Sequence, residues 1–259
     1  MKFLTSHSFT MEIKIAKGHI EQIYFLRELF LHENNFQFVH NKCHQYGWAD
    51  VYIFSMDGSS IGYGSIWGLN KRQDRDTIFE FYVLPTFRKY CNTCFSKLCT
   101  LSGATYIQSQ TNDLLLTTLL YEHAKNVYAE SILFEDSFQT RFPAGKAIFQ
   151  KEPVKKNEHP DAREYILTLQ KKEIAAGGLM LNYNKPYADV YYEVKEPYRG
   201  KGYATFMVQE LKREAYLLNC VPAARCNIDN KISKAVLLKA GFKICGCILD
   251  GEIIKEKLK

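Results

Sequence analysis

Seven consecutive residues, Tyr198-Arg199-Gly200-Lys201-Gly202-Tyr203-Ala204, carry the sharpest chemical signal in this sequence. They follow a strand-like run and precede a helical one. Glycines at 200 and 202 remove side chains where backbone N–H groups converge on a helix N-terminus. Such a concave nest, with the helix dipole behind it, binds a phosphate or diphosphate. Arg199 and Lys201 add positive charge. The Walker pattern does not fit, because no Lys-Ser/Thr pair stands at the required spacing. The dinucleotide fingerprint fails because Thr205 occupies the place of its third glycine. For so short a pattern, a glycine-rich turn that holds no ligand is the plain alternative.

Periodicity supplies the frame for this loop. Before it, Ala188–Val194 reads as a strand that ends at Pro197, and after it Ala204, Met207, Val208, Leu211, Ala215 and Leu218 mark one face of a helix. Ala223–Ile228 is a strand, Ser233–Ala240 a helix closed by Gly241, and Phe242–Leu249 the last strand. Upstream, Phe9–Ala16 reads as a strand, His19–Asn34 as a helix and Phe38–Tyr46 as a second, short one. Asp50–Ser55 and Ile61–Trp67 form a hairpin around Asp57-Gly58, and Thr77–Val83 is a further strand. Cys91–Leu101, Thr105–Gln110, Leu114–Lys125 and Val127–Phe134 then read as helix, strand, helix and strand. Ala147–Lys151, Glu164–Leu169 and Glu173–Asn182 are the remaining strands, with a charged, Pro-containing linker at Glu152–Asp161. We divide the chain into residues 1–145 and 146–259. The halves echo each other: Val83 and Arg88 stand 111 residues before Val194 and Arg199, in both cases after a strand and before a helix. An internal duplication is the favoured reading.

A second motif sits downstream, with Asn230-Lys231-Ile232-Ser233 followed by Lys239-Ala240-Gly241-Phe242. With Arg199-Gly200-Lys201-Gly202-Tyr203-Ala204 before it, the stretch from Ala188 to Gly246 resembles the GNAT acetyltransferase superfamily, in its branch that acetylates amines. The resemblance implies a mixed α/β fold built as two GNAT-like units, each with its own mixed sheet. In the second unit it implies a parallel pair, Ala188–Val194 and Ala223–Ile228, splayed into a V-shaped cleft for acetyl-coenzyme A. Backbone groups near Val194 would hold the thioester carbonyl and pantetheine arm. Amides of Arg199, Gly200, Lys201, Gly202, Tyr203 and Ala204 would hold the diphosphate, with Asn230 and Ser233 along the far arm. The first half follows the same order, but Lys89 and Cys91 stand where Gly200 and Gly202 stand, and His123 takes the place of Gly241. It reads as a degenerate copy that does not bind the cofactor. The second half lacks the two helices that ordinarily wall the acceptor site in this family. Another part of the chain or a second subunit must replace them, which leaves a homodimer open.

The implied activity is acetyl transfer to a primary amine of a small molecule or peptide, by direct attack in a ternary complex. A non-catalytic acyl-coenzyme A binding or sensing protein is the alternative. The amine must lose a proton and the departing thiolate must gain one. Glu193, one residue before Val194, is the best-placed carboxylate, although alternation puts it on the face opposite Tyr192 and Val194. Asp189 shares the parity of Glu193. Tyr192 and Cys226 are candidate acids, and His159 falls in the linker. Many family members carry a Tyr four residues before the Gly-Phe glycine; here that position is Leu237.

Composition narrows the class. Lys plus Arg number 34 against 28 Asp plus Glu, a net charge of +6 that is dispersed along the chain, which disfavours a nucleic-acid surface. No apolar run approaches the ~18 residues of a membrane span, and no signal-peptide pattern opens the chain, so a cytoplasmic protein is expected. The eight cysteines read as reduced thiols, and Cys91-x-x-Cys94 lacks the second ligand pair of a zinc site, so no metal is expected.

Overall fold

In the computed structural model, which describes residues 12–33, 41–71, 73–143, 145–152 and 162–258, the period-two runs become strands of one sheet. The first half runs β1 (Ile13–Gly18), α1 (Tyr24–Glu33), α2 (Asn41–Gln45), β2 (Asp50–Met56), β3 (Ser59–Trp67), β4 (Thr77–Val83), α3 (Cys91–Ser102), β5 (Tyr106–Gln110), α4 (Leu114–His123) and β6 (Ala124–Asp136). The second runs β7 (Ile148–Lys151), β8 (Ala162–Leu169), β9 (Lys172–Met180), β10 (Tyr187–Val194), α5 (Tyr203–Leu217), β11 (Val221–Asn227), α6 (Lys231–Lys239) and β12 (Phe242–Ile253). Phe9 to Met11, Phe38 to His40 and most of the linker, His159 included, lie outside the described residues.

The sheet order is β1-β2-β3-β4-β5-β12-β6-β11-β10-β9-β8-β7. From either edge inward the pairing sense is the same. β1 to β4 are antiparallel neighbours and β4–β5 is parallel. Likewise, β7 to β10 are antiparallel neighbours and β10–β11 is parallel. The mixed α/β class expected from the sequence holds. The two expected sheets, however, are joined into one, because the last strand of each half crosses to the other. β12 pairs with β5, β6 pairs with β11, and the two crossing strands pair with each other from Phe242↔Asp136 to Ile253↔Ala124.

Helices cover the sheet with their apolar stripes. Met207, Val208, Leu211 and Ala215 of α5 are fully buried in a core that includes Ala188, Val190 and Val194 of β10. In the first half, Cys94, Phe95 and Leu98 of α3 pack in a core with Phe81 and Val83 of β4. The α6–β12 turn depends on glycine: Gly241 has φ +84°, and a Cβ there would come 2.1 Å from the Phe138 carbonyl oxygen. Lys212 of α5, 2% exposed, reinforces the turn by donating to the carbonyls of Phe138, Ala240 and Gly241 at 2.8, 3.0 and 3.0 Å.

A buried ionic cluster fixes α1 and α2 against β3 and β4. Arg27 of α1 donates to Glu80 Oε1 at 2.9 Å, while His44 of α2 and Tyr63 of β3 each lie 3.2 Å from Oε2. Burial alone would push the Glu80 carboxyl up, but the Arg27 guanidinium and then His44 pull it well below the usual carboxylate range. A carboxyl depressed on folding contributes stability above its unfolded pKa and loses it only as pH falls through the folded value. Its contribution is therefore complete at neutral pH and is lost progressively as pH falls from the ordinary carboxylate range into strongly acidic conditions. Removing one partner leaves buried charge uncompensated, so Glu80→Ala is expected to cost about 3–5 kcal/mol in chemical denaturation at neutral pH. A loss inside the ~0.5 kcal/mol range of ordinary surface changes would show that the cluster does not hold these helices.

Candidate active site

The site is made by two strands that begin as neighbours and then part. β10 and β11 pair in parallel at Tyr187↔Val221, Ala188↔Pro222 and Asp189↔Ala223, and the pairing ends there. β10 continues beside β9 to Val194↔Ala175, and β11 continues beside β6 to Asn227↔Ser131. Each arm of the V is thus held by a ladder on its outer side, and the inner side opens.

At the mouth of the V the chain makes one 3₁₀ turn, Glu196–Tyr198, and then the glycine loop. Gly200 and Gly202 have φ of +74° and +84°, and no heavy atom lies within 4 Å of a Cβ built on either. A side chain there would be strained and would project into open space. Gly202 is the N-cap of α5 and supplies no side-chain bond to it. The first-turn amides of a helix have no partner within the helix. Tyr203, Ala204 and Thr205 of that turn line the cleft, with the positive end of the dipole behind them.

The basic side chains of the loop turn inward on the loop itself. Arg199 Nε donates to the Val194 carbonyl at 2.9 Å, and Lys201 Nζ donates to the Pro197 carbonyl at 3.0 Å. Arg199 and Lys201 therefore brace the turn.

The resulting cleft has a volume of about 710 Å³, and its lining includes Val194, Arg199, Gly200, Gly202, Tyr203, Ala204, Asn230 and Ser233. Tyr192 and Glu193 line it too. Lys201 alone of the expected cofactor-loop residues does not. Asn230 caps α6 by accepting from the Ser233 amide at 2.9 Å, and Ser233 Oγ lies 2.9 Å from the Tyr192 hydroxyl. That contact ties β10 to α6 across the cleft. Burial pushes the Tyr192 phenol up, partly offset by Ser233, and burial likewise pushes the Cys226 thiol up. The Glu193 side chain is 84% exposed, with Arg199 Nη2 3.9 Å away. Leu237 is buried in the core beneath α6, so its position offers no proton donor.

Ile232, Val236 and Lys239 also line the cleft; Ile232 and Lys239 stand in the second motif, but none of the three was assigned to the site from the sequence. Their signal was present: steps of four and three residues place them on one face of α6.

The profile of the GNAT acetyltransferase domain matches residues 113–243, just over half of the chain. No curated protein sequence matches. Among solved structures, a GNAT-family acetyltransferase from Colwellia psychrerythraea superimposes with a TM-score of 0.77 at 14% identity, covering 93% of this chain and all of that one. A tandem GNAT protein from the clavulanic acid biosynthesis pathway gives 0.59 at 11% identity, covering 93% of this chain and 98% of that one. A GCN5-related N-acetyltransferase from Sphaerobacter thermophilus gives 0.53 at 12% identity, with 78% and 80% covered. At these identities the likeness is one of fold.

The Asn230 cap has a measurable consequence. Replacing an N-cap Asn by Ala typically costs about 1 kcal/mol. Asn230→Ala is expected to lower stability by that amount in denaturant titration, and an unchanged midpoint would mean that the cap contributes nothing to α6.

Proposed function

The chain belongs to the GNAT acetyltransferase family, and from that premise we propose that it moves an acetyl group from acetyl-coenzyme A to a primary amine by direct attack in a ternary complex. The observation that carries the reading is the pair of positive-φ glycines at the uncapped start of α5, opening onto the cleft where β10 and β11 part. Backbone donors, a helix dipole and room for an anion suit a coenzyme's diphosphate. On this reading the amides from Arg199 to Ala204 hold the diphosphate, the backbone near Val194 orients the pantetheine arm, and Asn230 and Ser233 flank the far arm.

Acetyl-coenzyme A supplies the activated acyl group when bound. As the amine nitrogen bonds to the carbonyl carbon, the carbon–sulfur bond breaks, and the departing sulfur needs a proton. Tyr192 supplies it on this reading: its hydroxyl lies inside the cleft and already exchanges a hydrogen bond with Ser233. Glu193, exposed at the mouth, is the carboxylate through which a proton can pass to solvent.

We read residues 146–259 as the acetyltransferase unit and residues 1–145 as a degenerate copy that does not take the cofactor. In its loop the 3₁₀ turn Pro85–Tyr90 runs directly into α3, and Cys91 has φ −53° where Gly202 has +84°. All eight cysteines are free thiols, which suits a reducing compartment such as the cytoplasm. No described helix is long and apolar enough to cross a membrane. A second reading, an acyl-coenzyme A sensor without turnover, draws on Leu237 in place of the tyrosine many relatives carry.

Like-charge juxtaposition costs several kcal/mol, so Gly202→Glu is expected to weaken acetyl-coenzyme A binding about a hundredfold or more by calorimetry. Circular dichroism should show the fold retained, and unchanged affinity in a folded variant would refute the site. Cys91→Gly should leave the stoichiometry at one cofactor per chain. Thiol release with a primary amine separates the transferase from the sensor.

A further inference from the structure

The mechanism leaves the amine's proton without a buried acceptor, and one carboxylate outside the cofactor cleft has no assigned role. Asp189 is 7% exposed, yet its Oδ1 has no hydrogen-bond partner among the described residues. A buried carboxylate oxygen without a donor is costly, and natural proteins keep such groups for a reason.

Its place in the sheet gives one. A sheet is closed to a substrate wherever its ladder is intact, and the β10–β11 ladder ends at Asp189↔Ala223. Asp189 therefore stands at the apex of the V, where a thioester reaching in from the α5 loop along β10 would arrive. Ala188, Val190 and Val194 face the core beneath α5 and α6, so alternation points Asp189 to the opposite face.

That face is covered from the first half. The Lys42 amide of α2 donates to the Asn182 carbonyl at 3.1 Å, and Asn41 Nδ2 donates to the Tyr183 carbonyl at 2.8 Å. Lys42 Nζ donates to the Tyr183 hydroxyl at 2.7 Å, and Arg225 Nη2 of β11 donates to it at 3.2 Å. Asn182 Nδ2 donates in turn to the Tyr46 hydroxyl at 2.9 Å. A helix of the first half is thereby set against the β9–β10 connection of the second.

We propose that the acceptor amine meets the acetyl group on this face, between α2 and the apex of β10 and β11, and that Asp189 takes its proton. The balance is complete: a nitrogen–carbon bond forms, the carbon–sulfur bond breaks, the ammonium proton passes to the Asp189 carboxylate, and sulfur leaves as the thiol. The inference rests on the cleft being the acetyl-coenzyme A site. The groups facing Asp189 are Lys42 from α2, Arg225 from β11 and Tyr183 from the β9–β10 connection. Burial pushes its carboxyl up to about 6, against the pull of Arg225 and then Lys42. A base near that value is ionised at neutral pH and still accepts a proton readily. Turnover should fall as pH drops through about 6.

The test needs no knowledge of the acceptor. In D189C, a thiolate at the apex attacks the thioester carbonyl, coenzyme A leaves as the thiol, and the acetyl group stays on the protein. We expect peptide mass spectrometry to find one acetyl group at position 189 after incubation with acetyl-coenzyme A, and none there when G202E is added. D189C that binds acetyl-coenzyme A as tightly as wild type but remains unmodified at position 189 would overturn the proposal. Wild type that fails to bind acetyl-coenzyme A would instead overturn the cofactor site itself. D189N supplies the functional arm, measured with whichever of spermidine, glucosamine, lysine and a short peptide supports wild-type thiol release. It should keep the cofactor affinity, lose about a hundredfold in kcat and lose the acidic limb of the pH profile. Wild-type kcat with that limb intact would remove Asp189 as the proton acceptor.

Discussion

The separation of β10 from β11 is the constraint on which the rest of the molecule depends. Backbone N–H and C=O groups demand partners, so a sheet resists opening in its middle. Here the opening is made tolerable by outer ladders: β9 holds β10 along its length to Val194↔Ala175, and β6 holds β11 to Asn227↔Ser131. The V is rigid because each arm is half of an intact pair. A ligand between the arms can use the inner backbone without either strand having to move.

That rigidity requires the whole chain. β6 comes from the first half, and it is the strand that supports the inner arm of the cleft. β6 is held on its other side by β12, and β12 in turn by β5. The chain thus places a strand from one half at the centre of the other half's site. α2 adds a second dependence, since it is pinned by His44 to Glu80 on one side and reaches Asn182 and Tyr183 on the other. On the acceptor site proposed above, a segment of the same chain takes the place of the missing wall.

Local periodicity made most elements readable from the residues alone. The α5 stripe, the Asp57-Gly58 hairpin and the Gly241 helix end depend only on neighbours in sequence, and β4 fell at Thr77–Val83 as read. What stayed hidden depends on partners distant in sequence. Leu114–Lys125 reads as one helix, but α4 stops at His123 and β6 starts at Ala124, because pairing with Ile253 at the far end of β12 claims that residue for the sheet. The strand exchange is equally silent, since an alternating run announces a strand but not its neighbour. The loop proposed to hold the cofactor was readable because its signal is backbone conformation. The face proposed for the acceptor was not, because Asp189, Arg225 and Lys42 come together only through the topology.

The two loops also separate what holds the turn from what grips a ligand. Arg88 Nε donates to the Val83 carbonyl at 3.4 Å, as Arg199 Nε does to Val194 at 2.9 Å. The same arginine brace thus occurs in both halves, including the one we read as unable to take the cofactor. A feature common to both loops cannot decide which of them binds. The difference lies in the two residues that in the first half are Lys89 and Cys91. With side chains there the backbone stays in right-handed 3₁₀ and helical conformation through Tyr90 into α3, and the burial that packs Cys91 into the core also pushes its thiol up to about 11. With glycine the backbone turns left-handed at both positions, and the space that a side chain would fill stays open. The positive charge that drew attention to Arg199 and Lys201 is therefore secondary on the proposed reading: the arginine secures the turn, and the absent side chains leave room for the anion.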